Sequence, residues 1–292
     1  MGPAELVTVA APPSPSERGL LPAKPTKKQR HAWLNRLEVA LSEIEEAEPI
    51  ANGRLPPHER IAVVYATAIV VLILMNYATI DVSVQVGASE SIVAAIGALS
   101  PSLDAWFFPY RGLVGPAVWA LGCFTCYFVI PALVVRTVLG LDLRDFGLRW
   151  ESMGGSIKLF ALLYVPLAVI VIVVAQTPAF QTMYPFYRDP IGFGDASVWA
   201  FLYALQFFAL EFFFRGFLCH GVRDVLGRHT IVLMTVPYVM IHFPKPMFEA
   251  LGAMAAGLVL GFLSLRTRSI ALGVLLHVAV AWTMDVAALL SR

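Results

Sequence analysis

Apolar runs long enough to approach or exceed the width of a bilayer recur along most of the chain, and short polar segments separate them. An α-helix needs about 20 apolar residues to cross the hydrocarbon core. An apolar patch at 92–99 is too short to cross alone, and we expect it to be interfacial or re-entrant. The pattern predicts an all-α, polytopic membrane helix bundle with about seven transmembrane helices, at 61–79, 113–139, 159–175, 197–222, 230–243, 248–265 and 270–290.

The first 60 residues have a different character from the rest of the chain. Residues 1–30 are rich in proline and lysine, and this composition predicts a disordered cytoplasmic tail. In residues 31–58 apolar side chains recur at helical spacing opposite charged ones, which predicts an amphipathic helix. The sequence leaves open whether this helix lies on the membrane surface or covers the cytoplasmic mouth of the bundle. Residues 61–196 are predicted to be N-terminal transmembrane helices.

Composition and charge place the protein in the membrane and predict its orientation. Hydrophobic residues make up 58% of the chain and charged residues 14%, with a mean hydropathy of +0.73. If the N-terminus is cytoplasmic, 16 of the 21 Lys and Arg residues lie inside and four lie outside. The positive-inside rule therefore predicts a cytoplasmic N-terminus and an external C-terminus. No basic cluster with interleaved aromatic residues occurs, so we expect the lipid bilayer as a partner but not nucleic acid.

Four polar residues within the predicted spans stand out against this apolar background. Glu211 and Arg215 are four residues apart and therefore share one helix face. Each charge costs at least ~2.5–3.5 kcal/mol in the bilayer centre, so the pair is either a structural brace or part of a site. His242 and His277 lie in two other spans. At about 1.5 Å per residue, Glu211, His242 and His277 are roughly 16, 18 and 12 Å from the cytoplasmic side. We expect them to converge on one polar site.

This set of side chains is suited to hydrolysis by an activated water. A carboxylate in a low-dielectric pocket can act as a general base, and Arg215 would orient Glu211. Imidazoles can donate hydrogen bonds to the oxyanion of a tetrahedral intermediate. No serine or cysteine lies in a nucleophile-elbow motif. Glutamate with two histidines also has zinc-ligand chemistry, but the His-Glu-x-x-His motif is absent, so we expect no metal.

Three motifs in residues 198–285 resemble the CAAX-prenyl-protease-type (CPBP or ABI) intramembrane glutamic endopeptidases. They are Glu211-Phe-Phe-Phe-Arg215, Tyr238-Val-Met-Ile-His242, and a helix carrying His277. These are similar to the family's Glu-Glu-x-x-x-Arg, aromatic-x-x-x-His and His-x-x-x-Asn/Asp motifs.

The resemblance implies a catalytic transmembrane core at 197–292, with Glu211, Arg215, His242 and His277 in the active site. It also implies metal-free hydrolysis by a glutamate-activated water, with no cofactor. The expected substrate is a membrane-associated peptide or protein. Together with the charge distribution and the low cysteine content, the resemblance predicts a bacterial inner membrane as the location.

Two positions depart from these motifs. Leu210 occupies the place of the first glutamate, and Ala281 occupies the Asn/Asp position. Glu249 and Asp285 are possible auxiliary carboxylates, and Glu249 also fits a favourable charge at a helix N-terminus. The main alternative is a catalytically inactive relative that acts as a membrane scaffold or immunity protein. A transporter or proton relay is a third hypothesis.

Overall fold

The computed structural model describes residues 35–36, 38–44, 50, 53–149 and 156–291. The predicted tail at 1–30 lies outside the described residues. The chain divides into two compact units, Met1–Ser42 and Glu43–Arg292. Within the predicted amphipathic helix at 31–58, residues 35–36 and 38–44 are helical, whereas residues 57 and 58 already belong to the next helix.

The described part of the chain is helical and contains no strand, which confirms the all-α prediction. Seven of the helices in that part are long and apolar enough to cross a membrane, and the protein is a polytopic helix bundle. We label these helices α1 (Pro57–Thr79), α2 (Val82–Leu99), α3 (Pro101–Leu139), α4 (Ile157–Val174), α5 (Phe193–His220), α7 (Met247–Thr267) and α8 (Ala271–Leu290), with a shorter apolar helix α6 (His229–Met240) between α5 and α7.

Two of these helices differ in length from the sequence prediction. The patch at 92–99 is the second half of α2, an apolar helix of 18 residues that begins after the capping side chain of Asp81. The prediction was too short because serines and a glutamine interrupt the apolar pattern. The Ser89 and Ser91 hydroxyls donate to backbone carbonyls one turn earlier, so they remain within the helix. Conversely, α6 has only 12 residues and ends at Met240.

The helices α1 and α2 run one after the other along α3, in the opposite direction. Arg54 N donates to Leu139 O at 2.8 Å, near the C-terminal end of α3. Further along, Gly122 lies against Thr79, and Gly97 lies close to Asp104 near the start of α3. Thus α2 continues the direction of α1 instead of returning beside it. With 39 residues, α3 has about twice the roughly 20 residues that a helix needs to cross the hydrocarbon core.

Helix α5 lies in the core of the bundle. Its last third, Phe212–His220, is a π-helical segment in which every residue is buried. The phenylalanines that separate Glu211 from Arg215 are 0% exposed and pack against neighbouring helices instead of lipid. Helices α6 and α7 approach closely because Gly257 faces Thr235 and Gly261 faces Met234 and Ile231. These contacts place residues of α5, α6, α7 and α8 around one point.

A buried ion pair links the start of α1 to the segment after α5. Arg60 is 2% exposed, pairs with Asp224, and donates from Nε to Gly221 O at 2.9 Å. Arg136 provides a contrast, because it pairs with Asp142 while both side chains are more than half exposed. The two pairs therefore make a matched comparison of buried and exposed ion pairs.

We predict that Arg60→Met lowers the free energy of unfolding by about 3–5 kcal/mol, because Asp224 is left buried without its partner. The control Arg136→Met should cost no more than about 1 kcal/mol. Equilibrium unfolding of the full chain in detergent micelles measures both values. Equal losses in the two variants would show that the Arg60 pair does not hold these segments together.

Candidate active site

The Glu211 carboxylate and the Arg215 guanidinium form an ion pair in the core of the bundle. Both side chains are 0% exposed, and Glu211 Oε1 is 2.9 Å from Arg215 Nη1. The pair forms because four residues in a helix bring two side chains onto one face. Arg215 Nη2 also donates to the Ala256 carbonyl of α7 at 3.4 Å. The two charges balance each other, although Arg215 Nε and Nη1 have no hydrogen-bond partner among the described residues.

His277 of α8 contacts the same carboxylate oxygen. His277 Nδ1 is 2.6 Å from Glu211 Oε1. The Phe207 ring of α5 stacks on the imidazole, with ring centroids 5.4 Å apart and planes 11° apart. These two contacts hold the imidazole plane in a defined orientation. Glu211, Arg215 and His277 are therefore brought into direct contact.

Tyr238 of α6 lies between the other members of the site. Its hydroxyl is 3.0 Å from His277 Nε2, and the Arg215 guanidinium lies 4.1 Å from the centre of its ring. Sequence reasoning did not single out this tyrosine as functional, although it occupies the aromatic position of the motif that ends at His242. The sequence did offer one signal for a functional role: this residue carries a hydroxyl at a motif position that requires only an aromatic ring.

His242 joins the group through Tyr238. It follows the end of α6, and its Nδ1 is 2.8 Å from the Tyr238 carbonyl oxygen. The two rings are 4.9 Å apart in an edge-to-face arrangement. Because a carbonyl oxygen only accepts, Nδ1 carries the hydrogen, and a neutral His242 has its free lone pair on Nε2. The imidazole is partly exposed, unlike Glu211.

The contacts of His277 identify which nitrogen of a neutral imidazole would carry the hydrogen. A carboxylate oxygen accepts, so the hydrogen of His277 lies on Nδ1, and Nε2 accepts from the Tyr238 hydroxyl. The four groups form a carboxylate–imidazole–hydroxyl relay beside a guanidinium.

The second oxygen of Glu211 is free of this network. Among the described residues Glu211 Oε2 has no hydrogen-bond partner, although it is buried. It lies against Gly273 of α8, where an added Cβ atom would be only 2.2 Å from Oε2. The carboxylate therefore occupies the space that any other side chain at position 273 would need. No motif in the sequence drew attention to this glycine.

The two auxiliary carboxylates lie elsewhere. Glu249 Oε1 accepts from Lys245 Nζ at 2.6 Å and from the Tyr184 hydroxyl at 3.0 Å. Burial and the neighbouring Glu249 carboxylate raise the pKa of the Tyr184 hydroxyl above its usual range. Asp285 accepts from the Trp199 indole at 2.7 Å. The structure brings neither carboxylate into described contact with Glu211.

The two positions that depart from the family motifs are both buried. Leu210 is 6% exposed, and Ala281 is 1% exposed within a cluster that includes Trp199 and Tyr203. Ala281 thus contributes an apolar contact where a polar side chain was the motif's expectation. In the part of the chain that the structure describes, no group of three or more His, Cys, Asp or Glu residues is arranged to hold a metal ion. Metal-free chemistry stays a prediction.

The fold and this buried polar group define a multi-pass membrane protein with a candidate site inside its helix bundle. A family model described as Rce1-like, type II CAAX prenyl endopeptidase, matches residues 192–283. Over this region, about a third of the chain, the protein is similar to the CAAX protease family. The matched region contains Glu211, Arg215, His242 and His277. No curated protein and no solved structure matches the chain.

We predict that Gly273→Ala displaces the Glu211 carboxylate and destabilises the protein. Overpacking of a tight site costs about 1–3 kcal/mol. Gly252→Ala is the matched control, because an added Cβ at that helical position meets no atom within 4 Å. Replacing a helical glycine by alanine there should be neutral or stabilising, by about 0.5–1 kcal/mol. Thermal unfolding in detergent measures the difference, and equal stabilities would show that Oε2 does not rely on Gly273.

Proposed function

We propose that the protein is an intramembrane endopeptidase that hydrolyses a peptide bond of a membrane-associated substrate, with Glu211 activating the attacking water. The proposal rests on the different contacts made by the two oxygens of the Glu211 carboxylate. Oε1 is held by Arg215 and His277, while Oε2 accepts no hydrogen bond from the described residues. An arginine-clamped carboxylate can act as a base when one oxygen stays free, and this geometry supports that condition.

In the proposed reaction, Glu211 Oε2 takes a proton from water, and the water oxygen attacks the substrate carbonyl. The base must approach the water within about 3 Å, so substrate and water must enter beside Gly273. Arg215 keeps Glu211 ionised before the reaction. The proton held on Glu211 then passes to the leaving amine as the peptide bond breaks. His242 is partly exposed and lies beside Tyr238, and in this proposal its Nε2 holds the same water.

This proposal modifies the expectation that both imidazoles donate hydrogen bonds to the oxyanion. In the neutral tautomers described above, both Nδ1 hydrogens are already donated, to Glu211 and to the Tyr238 carbonyl. Neither neutral imidazole therefore has a hydrogen left on Nε2 for the oxyanion, and in this proposal Nε2 of His242 accepts a hydrogen bond from the attacking water instead.

The location of the protein is also proposed from its charges. The excess of Lys and Arg on one side supports a cytoplasmic N-terminus, and the composition supports a bacterial inner membrane. The substrate would accordingly reach the site from the bilayer or from its surface.

A second candidate function is a non-catalytic member of the family that acts as a membrane scaffold or immunity protein. The complete burial of Glu211 favours it, because a base must meet water. Leu210 also favours it, since this position of the motif holds an apolar side chain. Cleavage assays on the purified protein separate the two functions.

We predict that Glu211→Gln lowers peptide cleavage by at least about 100-fold, because the amide keeps the shape of the side chain but cannot take a proton. The matched control is Glu249→Gln, which changes a carboxylate outside the group and should retain activity, as should Asp285→Asn. Full-length protein in liposomes is incubated with membrane peptides, and products are identified by mass spectrometry. Loss of cleavage in Glu249→Gln with activity kept in Glu211→Gln would reassign the base to Glu249.

Cleavage is also predicted to survive metal chelation. The proposed base is held by protein groups, and the reaction needs no Lewis acid. The rate should be the same before and after dialysis against EDTA, measured with the same peptides. Inactivation by EDTA with recovery on adding zinc would show instead that Glu211 and the histidines are metal ligands.

A further inference from the structure

We propose that Tyr238 is a positioning residue for the reaction, and that its hydroxyl and its backbone carbonyl orient the two histidines of the site. The inference rests on the proposed hydrolytic function of the same site. It assigns a role to a residue that the motif analysis treated only as an aromatic position.

The hydroxyl fixes the far side of the His277 ring. His277 is held on one side by Glu211 Oε1 at 2.6 Å and on the other by the Tyr238 hydroxyl at 3.0 Å. With the hydrogen of neutral His277 on Nδ1, the lone pair of Nε2 needs a donor in this largely buried place. The Tyr238 hydroxyl supplies that donor. Without it, Nε2 would carry the cost of an unpaired polar atom.

The carbonyl of the same residue fixes the other histidine. His242 is four residues further along, and its Nδ1 lies 2.8 Å from the Tyr238 carbonyl oxygen. This bond places the Nδ1 hydrogen against the backbone and directs the lone pair of Nε2 away from it. One residue therefore contacts both imidazoles: its carbonyl fixes the tautomer of His242, and its hydroxyl binds Nε2 of His277.

The ring of Tyr238 is itself held by the ion pair. The Arg215 guanidinium lies 4.1 Å from the ring centre, a distance at which a cation–π interaction is favourable. Phe214 packs edge-to-face against the other parts of the ring, 5.1 Å away. Because these contacts use the ring alone, phenylalanine at position 238 should fold in the same way. Tyr238→Phe then removes the hydroxyl together with its contacts to His277 and Arg215.

The consequence of losing the hydroxyl reaches Glu211. A His277 ring that is tethered only at Nδ1 can rotate or shift, and Oε1 then loses a fixed partner. The Glu211 carboxylate would then adopt more than one orientation, and Oε2 would face the substrate in a smaller fraction of the molecules. We therefore expect the turnover rate to fall while substrate binding stays the same.

The first test is nitrogen-15 NMR of the full chain, labelled at histidine and placed in lipid nanodiscs. The protein has six histidines, and His277→Asn identifies the signals of this residue. In the wild type we expect the hydrogen on Nδ1 and a hydrogen-bonded lone pair on Nε2. In Tyr238→Phe the Nε2 signal should move towards the value of an imidazole nitrogen that accepts no hydrogen bond.

Tyr127→Phe is the matched control. Tyr127 is buried and packs on Phe213 and Phe214, and its hydroxyl takes part in no described hydrogen bond. Its variant should leave the His277 signals unchanged. The proposal is overturned if the wild type carries the hydrogen on Nε2. It is equally overturned if the Nε2 signal does not move in Tyr238→Phe.

The second test measures cleavage. Losing one hydrogen bond of ordinary strength corresponds to about a tenfold loss in kcat for Tyr238→Phe, with KM unchanged and Tyr127→Phe at the wild-type rate. An unchanged kcat would overturn the positioning role. If the wild type cleaves no peptide, the proposed function fails, while the NMR result still decides whether Tyr238 orients His277.

Discussion

A carboxylate with no access to solvent must have its charge matched nearby, and the arrangement around Glu211 depends on that constraint. Arg215 supplies the matching charge from the next helical turn. Removing one partner of such a buried pair generally costs about 3–5 kcal/mol, so each residue needs the other for stability. The Tyr238 ring covers the guanidinium, His277 takes the remaining position on Oε1, and Gly273 leaves room for Oε2. Each of these contacts directly involves Glu211 or Arg215.

Much of this architecture can be predicted from the sequence because it follows from regular spacing. Apolar runs of membrane length give the helices, and two charges four residues apart share a helix face whatever surrounds them. Depth along a helix also increases by a fixed rise per residue. For this reason, three residues on different helices can be expected at one level. The prediction failed where small polar side chains interrupt an apolar run. In α2 the serines donate to their own helix, so local hydropathy understates the length of that helix.

The rest of the site depends on contacts between helices, which spacing does not reveal. Gly273 matters because the Glu211 carboxylate approaches its Cα, and that approach exists only after α5 and α8 pack. The Tyr238 hydroxyl becomes relevant through its contact with His277, which lies 39 residues further along the chain. Likewise, Glu249 and Asp285 appeared close to the site in sequence, but they are engaged by Lys245 and Trp199. The hydrogen-bond partners of a carboxylate therefore decide its role more than its position in the sequence does.

The shortness of α6 has a consequence for how water reaches a site inside a membrane. Twelve residues extend about 18 Å, well short of the roughly 30 Å hydrocarbon layer, so the chain leaves the helix at membrane depth. Irregular backbone is tolerated there only where protein covers it or where it borders a water-filled cavity. His242 lies in this irregular stretch and is partly exposed. The early end of the helix therefore leaves the His242 imidazole partly exposed, in a fold that excludes solvent from Glu211.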